Sequence, residues 1–140
     1  MREVRCATKA FIMDNGKLLV IKQAEGGKEW WDMPGGKLEF GLTPEENLKK
    51  EVMEEVGLEV EIEKLMGVSQ FISHGGDQVV CIDYLCRSKG KNVDIGSNPD
   101  KEENIVKALW ITPEEFFAQL SDKQEYKGLR NFIKKYFLAD

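Results

Sequence analysis

Residues 31 to 58 combine a glycine pair with a helix whose two ends are marked by their residue types. Thr43 is the predicted N-cap, Pro44 takes the first helical position, and Glu46 completes a capping box. Gly57 is a typical helix stop. The apolar positions between these ends fall on one stripe, which is formed by Leu48, Val52 and Val56. The pattern predicts an amphipathic helix that packs against a sheet.

Three glutamates of this helix, Glu51, Glu54 and Glu55, fall within an arc of about 100°. Positions 55, 58 and 59, four residues after each of them, carry no lysine or arginine, so we expect no basic side chain to relieve the cluster. A divalent cation would, because it prefers several oxygen ligands in one place. With Gly35 and Gly36 just upstream, the segment is a candidate Mg²⁺ site for phosphate chemistry. A solvated acidic helix face is the alternative.

The rest of the chain alternates strands with turns. Runs rich in β-branched and apolar residues predict strands at 4–13, 17–22, 78–87 and 105–111, and one long strand or two short ones at 58–72. Turn residues mark 14–16 and 73–77, and loops are predicted at 23–28 and 89–103. Two further helices are predicted, one beginning at Thr112 and one at 127–138. The pattern predicts an α/β fold with a mixed central sheet.

Size and charge exclude several classes of function. The 140 residues are expected to form one domain, 1–140, and a net charge of −5 disfavours a nucleic-acid polymer as partner. No apolar run approaches the roughly 18 residues that span a bilayer, so no membrane partner is expected. Cys6, Cys81 and Cys86 lack a zinc-type spacing and predict free thiols in a reducing cytoplasm. His74, in a glycine-rich turn, is expected to be exposed and inert.

The glycine pair and the acidic helix together resemble the signature of the Nudix hydrolases, G-x5-E-x7-R-E-U-x-E-E-x-G-U, in which U is aliphatic. The positions that match are Gly36, Glu51, Val52, Glu54, Glu55, Gly57 and Leu58. The chain departs from the signature twice, with Leu42 in place of a glutamate and Lys50 in place of an arginine. In the family these two residues are commonly coupled, so we expect the usual bridge to be absent here. Glu39 matches a frequent glutamate outside the defined positions and would add charge.

The resemblance implies an α/β/α sandwich and a set of site residues. Glu54 and Glu55 would hold Mg²⁺, or Mn²⁺, together with the Gly36 carbonyl, and Glu51 would be a further ligand or the base for the attacking water. A late-loop acid known from some members would be Glu103, or else Glu102. From residue type alone, Lys22 is a candidate to meet a phosphate, and the candidates to stack on a base are Trp30, Phe71 and Tyr84. Core packing is the alternative for these aromatic residues.

The implied function is a cytoplasmic, Mg²⁺-dependent pyrophosphohydrolase that cleaves a phosphoanhydride bond of a nucleoside di- or triphosphate derivative. A nucleoside triphosphate, unmodified or oxidised, is slightly preferred as substrate. The first alternative is a nucleotide-binding sensor with weak or no hydrolysis, which the departures at Leu42 and Lys50 favour. A second alternative is an ADP-ribose or nucleotide-sugar pyrophosphatase. The expected partner is a small nucleotide, and a homodimer is compatible with the family.

Overall fold

The computed structural model describes residues 2–90, 92–96 and 104–138. A short 3-10 helix, Gln124–Tyr126, precedes the last helix. The other elements in chain order are the strands β1 (Val4–Asp14), β2 (Lys17–Glu25), β3 (Lys28–Asp32) and β4 (Gly35–Lys37), the helix α1 (Pro44–Val56), the strands β5 (Val60–Ile72), β6 (Gln78–Ser88) and β7 (Ile105–Ile111), and the helices α2 (Pro113–Gln119) and α3 (Lys127–Phe137).

The strands form one mixed sheet. Its main order is β3-β2-β1-β6-β5, with β4 beside β1 and β7 beside β2. Strands β1 and β6 run parallel over their length, while the other pairs are antiparallel. The predicted mixed sheet is therefore confirmed, and the segment 58–72 forms one long strand rather than two.

Helices cover both faces of the sheet because the apolar residues of β1 alternate. Ala10 and Ile12 pack with the apolar stripe of α1, while Phe11 between them packs with residues of α2 and α3. Phe116 and Ile133 anchor those two helices in the second core and are fully buried. This arrangement is the predicted α/β/α sandwich. None of the described helices is long and apolar enough to cross a membrane.

The ends of α1 follow the sequence prediction. Thr43 accepts a hydrogen bond from the Glu46 backbone N–H, and the Glu46 side chain bonds back to the Thr43 N–H. Gly57 ends the helix in the left-handed conformation, with φ of 69°. These caps fix the register of the helix, and so fix which face carries the glutamates.

Two short strands were not predicted. Residues 23–28 are not a loop, because β2 continues to Glu25, Gly26 and Gly27 form a tight turn, and β3 returns to Asp32. The glycine pair begins β4, which pairs with residues 7–9 of β1. Gly35 has φ of +144°, and a Cβ there would lie 2.0 Å from the Thr8 carbonyl oxygen. Only glycine allows the two backbones to approach so closely.

All three cysteines are free thiols, as the sequence predicts. Cys81 and Cys86 are buried, and burial raises the pKa of each thiol to about 12. Neither is a reactive nucleophile near neutral pH, since the thiolate is the reactive form.

Candidate active site

The glycine pair and the acidic helix meet in space. The Gly35 backbone N–H donates to Glu55 Oε1 at 2.6 Å, and Glu55 is buried. A Cβ built on Gly36 would lie 2.5 Å from Glu51 Oε2, so the Glu51 carboxylate lies directly against the Gly36 backbone. The helix thus presents two of its carboxylates to the Gly35–Gly36 backbone, which has no side chains to keep them away.

Lys50 corrects two expectations about this cluster. Its Nζ lies 2.5 Å from Glu39 Oε2 and 3.6 Å from Glu54 Oε1. A basic side chain therefore does pair with the acidic face, from one turn before Glu54 rather than after it. The missing glutamate at Leu42 does not abolish the bridge either, because Glu39 takes its place. The hydrogen bond to Glu39 and the charge of Glu54 both raise the pKa of Lys50.

The donor atoms suit a magnesium or manganese ion. The carboxylates of Glu51, Glu54 and Glu55 and the Gly36 carbonyl offer oxygen atoms, the donors that such ions prefer, and the Glu51 carboxylate lies against the Gly36 backbone. Within residues 2–90, 92–96 and 104–138, no three acidic, cysteine or histidine side chains are already gathered as a metal cluster. Glu54 is turned toward Lys50 and Glu55 toward Gly35. The donor chemistry fits the ion, and a bound ion would compete with Lys50 for the carboxylate of Glu54.

Asn47 is a structural residue of the site that the sequence analysis missed. Its Nδ2 donates to Thr8 Oγ1 at 3.0 Å and to the Gly36 carbonyl at 3.4 Å. Its Oδ1 accepts from the Glu39 backbone N–H at 3.1 Å. Asn47 is fully buried and ties α1 to β1, to the glycine pair and to the loop that follows. The available signal was its position one turn before Glu51, on the same helix face.

We expect Asn47→Ala to lower the free energy of unfolding by about 2 kcal/mol, because the Glu39 N–H and the Thr8 hydroxyl lose a partner. Chemical denaturation of the purified variant measures this. Lys49→Ala, an exposed change on the same helix, is the matched control and should have a small effect. Equal stabilities for the two variants would contradict the anchoring role of Asn47.

A cavity of about 360 Å³ opens on the other side of the glycine pair. Its walls combine cationic, acidic and aromatic side chains, together with the pair itself: Arg5, Lys9, Gln23, Trp30, Asp32, Gly35, Gly36, Lys37, Phe71 and His74. Gly35 and Gly36 therefore separate this space from the carboxylates of α1. The His74 ring packs on Trp30 with centroids 4.4 Å apart, so this exposed histidine forms part of the cavity wall.

The four candidate substrate residues divide into two pairs. Trp30 and Phe71 line the cavity. Lys22 belongs to the other face of β2, where its Nζ lies 4.7 Å from the centre of the Trp31 ring and 3.8 Å from Glu29 Oε1. Tyr84 is only 6% exposed and packs in the core beneath α1. Its predicted role in stacking on a base is wrong, because core packing already buries its ring.

The floor of the cavity contains a buried ion pair. Lys9 Nζ lies 3.1 Å from Asp32 Oδ2, and the Gln23 side-chain amide donates to the same oxygen at 3.1 Å. Burial acts to lower the pKa of Lys9, but the negative charge of Asp32 and smaller contributions outweigh it, so the pKa is raised. Lys9 therefore stays cationic near neutral pH. The sequence signal was a lysine within the otherwise uncharged run Ala7–Ile12.

Asp83 on β6 lies beside Lys9 on β1 and is 1% exposed. Burial raises the pKa of this carboxyl to about 7, although the Ser69 hydroxyl, which donates to Oδ2 at 2.7 Å, and Lys9 both act to lower it. Asp83 Oδ1 has no hydrogen-bond partner among the described residues. The protonated carboxylic acid is therefore the favoured form of Asp83 below neutral pH.

We expect Asp83→Asn to stabilise the protein more at pH 8 than at pH 5, by about 2 kcal/mol. In the unfolded chain Asp83 loses its proton near pH 4, whereas the folded protein holds it to about pH 7. The folded state binds more protons in this window, so wild-type stability falls as the pH rises, and asparagine has no such proton to lose. Urea denaturation at both pH values measures the difference. Asp122→Asn, the same change at an exposed side chain, is the matched control.

The proposed late-loop acid Glu103, and its alternative Glu102, lie outside the described residues. Their roles stay predictions from the sequence.

Comparison with known proteins agrees with the geometry. The model of the NUDIX domain family matches residues 4–136. A MutT-like protein of Streptomyces ambofaciens is 32% identical over 111 residues, which is 79% of this chain and 65% of that protein. Human 8-oxo-dGDP phosphatase is 31% identical over 101 residues, 71% of this chain and 29% of that protein. The chain thus spans just under two-thirds of the first relative and less than a third of the second.

The fold comparison points the same way. The crystal structure of a MutT protein from Methanosarcina mazei Go1 superimposes with a TM-score of 0.78 at 19% identity, covering 96% of this chain and 93% of that one. At this identity the likeness supports the fold and not a substrate.

Proposed function

The chain belongs to the Nudix family, whose members act on phosphoanhydrides, and we propose that it hydrolyses a nucleoside triphosphate, unmodified or oxidised, to the monophosphate and pyrophosphate. The observation that carries the proposal is the position of Gly35 and Gly36. They lie between the carboxylates of α1 and a cavity large enough for most of a nucleotide. A polyphosphate seated at the pair would be within reach of both.

Four groups would hold Mg²⁺, or Mn²⁺: the carboxylates of Glu51, Glu54 and Glu55 and the carbonyl of Gly36. When bound, the ion would neutralise phosphate charge and acidify a water molecule. Glu51, whose carboxylate lies against Gly36, is the nearest candidate to accept the proton from an attacking water. Glu55 orients the pair by accepting the Gly35 N–H, which keeps the Gly36 backbone within reach of the helix.

The cavity divides into a cationic and an aromatic part, which matches the two ends of a nucleotide. Lys9 and Lys37 supply positive charge near the glycine pair, where phosphate oxygens would lie, whereas Arg5 is paired with Asp77 beside Ser73. Trp30 and Phe71 supply aromatic rings for a base. A stacked base would hold the phosphoanhydride in place while the glycine pair orients it, which favours reaction by positioning.

The names of two relatives support a nucleotide with an oxidised base. One is the human 8-oxo-dGDP phosphatase, and the other is an 8-oxo-dGTP diphosphatase of Proteus vulgaris, 48% identical over 40 residues. Because these matches cover 29% and 34% of those proteins, the substrate remains our proposal. A cytoplasmic location and a homodimer also stay predictions. ADP-ribose and nucleotide sugars are the competing substrates.

A sensor without turnover is the second candidate function. The contact between Lys50 and Glu54 favours it, because the lysine occupies a carboxylate that the reaction requires. The exposure of Lys50 and the partial exposure of Glu54 oppose it, since a solvent-accessible ion pair is worth at most about 1 kcal/mol and gives way to a divalent ion at small cost.

The test is release of phosphate and pyrophosphate from a panel of nucleotides with Mg²⁺ or Mn²⁺. The panel contains dGTP, 8-oxo-dGTP, 8-oxo-dGDP, ATP, ADP-ribose and UDP-glucose. We expect pyrophosphate from a triphosphate, and no comparable rate on the last two. Binding without turnover of any compound would establish the sensor, and turnover confined to ADP-ribose or UDP-glucose would overturn the substrate class.

A further inference from the structure

Gln23 is fixed in one orientation at the wall of the cavity. Its Nε2 donates to Asp32 Oδ2, which also accepts from Lys9 Nζ. The other oxygen, Asp32 Oδ1, accepts from the Met33 backbone N–H at 2.8 Å. A carboxylate paired with a buried ammonium group only accepts hydrogen bonds, so the amino side of the Gln23 amide must face Asp32. The carbonyl oxygen, Oε1, is left on the other side.

That oxygen is an available acceptor beside an aromatic ring. Gln23 and Trp30 are direct partners across β2 and β3, so their side chains lie on the same face, and both line the cavity. In the part of the chain that the structure describes, Gln23 Oε1 has no hydrogen-bond partner. The register between β2 and β7 shifts at Lys22 and Gln23, an irregularity that commonly re-aims a side chain next to a functional site.

We infer that Gln23 is a specificity-determining residue that accepts, through Oε1, a hydrogen bond from an exocyclic amino group of a nucleobase stacked on Trp30. This rests on the proposed function and narrows the substrate to nucleotides whose base carries such a group. An exocyclic amino group projects further from a base than its ring N–H donors do. It can therefore reach a side chain that lies beside the edge of the stacked base. A base without it would leave Oε1 desolvated and unpaired, which is the costly outcome.

Asp32 has a different role. Each of its oxygens already accepts from the protein, and Oδ2 accepts twice, so it is poorly placed to accept from a ligand. It is a positioning residue, which holds the Gln23 amide with its carbonyl toward the base.

The test measures binding of nucleoside monophosphates by calorimetry in EDTA, where neither metal nor turnover contributes. AMP is compared with purine riboside monophosphate, and GMP with IMP, because each pair differs by one amino group. We expect the wild type to prefer the amino-bearing member of at least one pair by about fivefold, the value of one neutral hydrogen bond. Gln23→Met should abolish the preference by raising the affinity for the amino-free member, because its complex no longer contains an unpaired oxygen.

Two further variants make the outcome decisive. Gln23→Asn keeps the amide but withdraws it by one methylene, and it should also lose the preference. Gln119→Met, an exposed change at the end of α2, should keep it. A preference that survives in both Gln23 variants, or is missing in the wild type, overturns the inference, as does the absence of measurable binding. The two proposals can also fail separately. If the Gln23 variants lose the preference but the wild type hydrolyses no nucleotide, only the proposed function is overturned.

Discussion

Glu54→Gln is expected to lower kcat about 1,000-fold on whichever nucleotide the wild type hydrolyses, which corresponds to about 4 kcal/mol in the activation free energy. Glutamine keeps the size and the hydrogen-bonding reach of the side chain but removes the charge that a divalent ion requires. In the structure Glu54 is half-buried and pairs with the exposed side chain of Lys50, so we expect the fold to depend little on it. The measurement is steady-state kinetics at saturating metal and nucleotide.

The control for this change is Glu45→Gln. Glu45 is exposed in the first turn of the same helix and is not among the residues that line the cavity, so the substitution removes one charge from α1 without changing the three clustered glutamates. Titration with Mn²⁺ by calorimetry should show at least tenfold weaker binding for Glu54→Gln and an unchanged affinity for Glu45→Gln. Wild-type turnover in the first variant, with its fold intact, would remove Glu54 from the site.

The success of the sequence prediction for α1 has a local cause. Thr43, Pro44, Glu46 and Gly57 act through contacts within a few residues, so their meaning does not depend on the rest of the fold. Strand β4 is the opposite case. It has three residues, two of them glycine, and it exists because Gly35 and Gly36 fit against β1, about 28 residues earlier. No propensity marks such a strand, since glycine disfavours strands in general.

The charged residues of the site also fall into two groups, those whose placement follows from local sequence and those whose placement depends on the fold. The common face of Glu51, Glu54 and Glu55 follows from helix geometry and was predicted. The partner of Lys50 was not, because Glu39 lies eleven residues away and only the path of the intervening loop returns it to the helix. Leu42 departs from the family signature, whereas Glu39, the residue that compensates for it, lies three positions earlier and outside the defined positions.

The cavity residues illustrate a limit of strand patterns. Alternation indicates that Lys22 and Gln23 lie on opposite faces, but it does not say which face is open. The open face depends on where α1, α2 and α3 pack, and that is settled by the whole fold. The sequence therefore favours Lys22 where Gln23 lines the cavity, and it favours Tyr84 although α1 covers the face of the sheet on which Tyr84 lies.

Gly36→Ala is the second change with a large expected effect. It tests whether turnover depends on the position of the Glu51 carboxylate against the Gly36 backbone. A Cβ at this position would lie 2.5 Å from Oε2 and 2.8 Å from Cδ of Glu51, and both contacts are shorter than side chains tolerate. The atoms in the way belong to the end of a flexible side chain, and Gly36 does not have a positive φ. The cheapest response is therefore for Glu51 to turn away, which leaves the backbone of β4 in place.

We expect Gly36→Ala to lower kcat about 100-fold while changing the free energy of unfolding by less than about 1 kcal/mol, because a displacement of about 1 Å in a catalytic group has an effect of this size on rate. Steady-state kinetics and urea denaturation measure the two quantities. Gly75→Ala is the matched control, since Gly75 lines the same cavity, has no positive φ, and would bring its Cβ no closer than 3.9 Å to another atom. Wild-type turnover in Gly36→Ala would show that the carboxylate of Glu51 is not required where it lies. A loss of stability matching the loss of activity would mean that the alanine disturbs β4 itself.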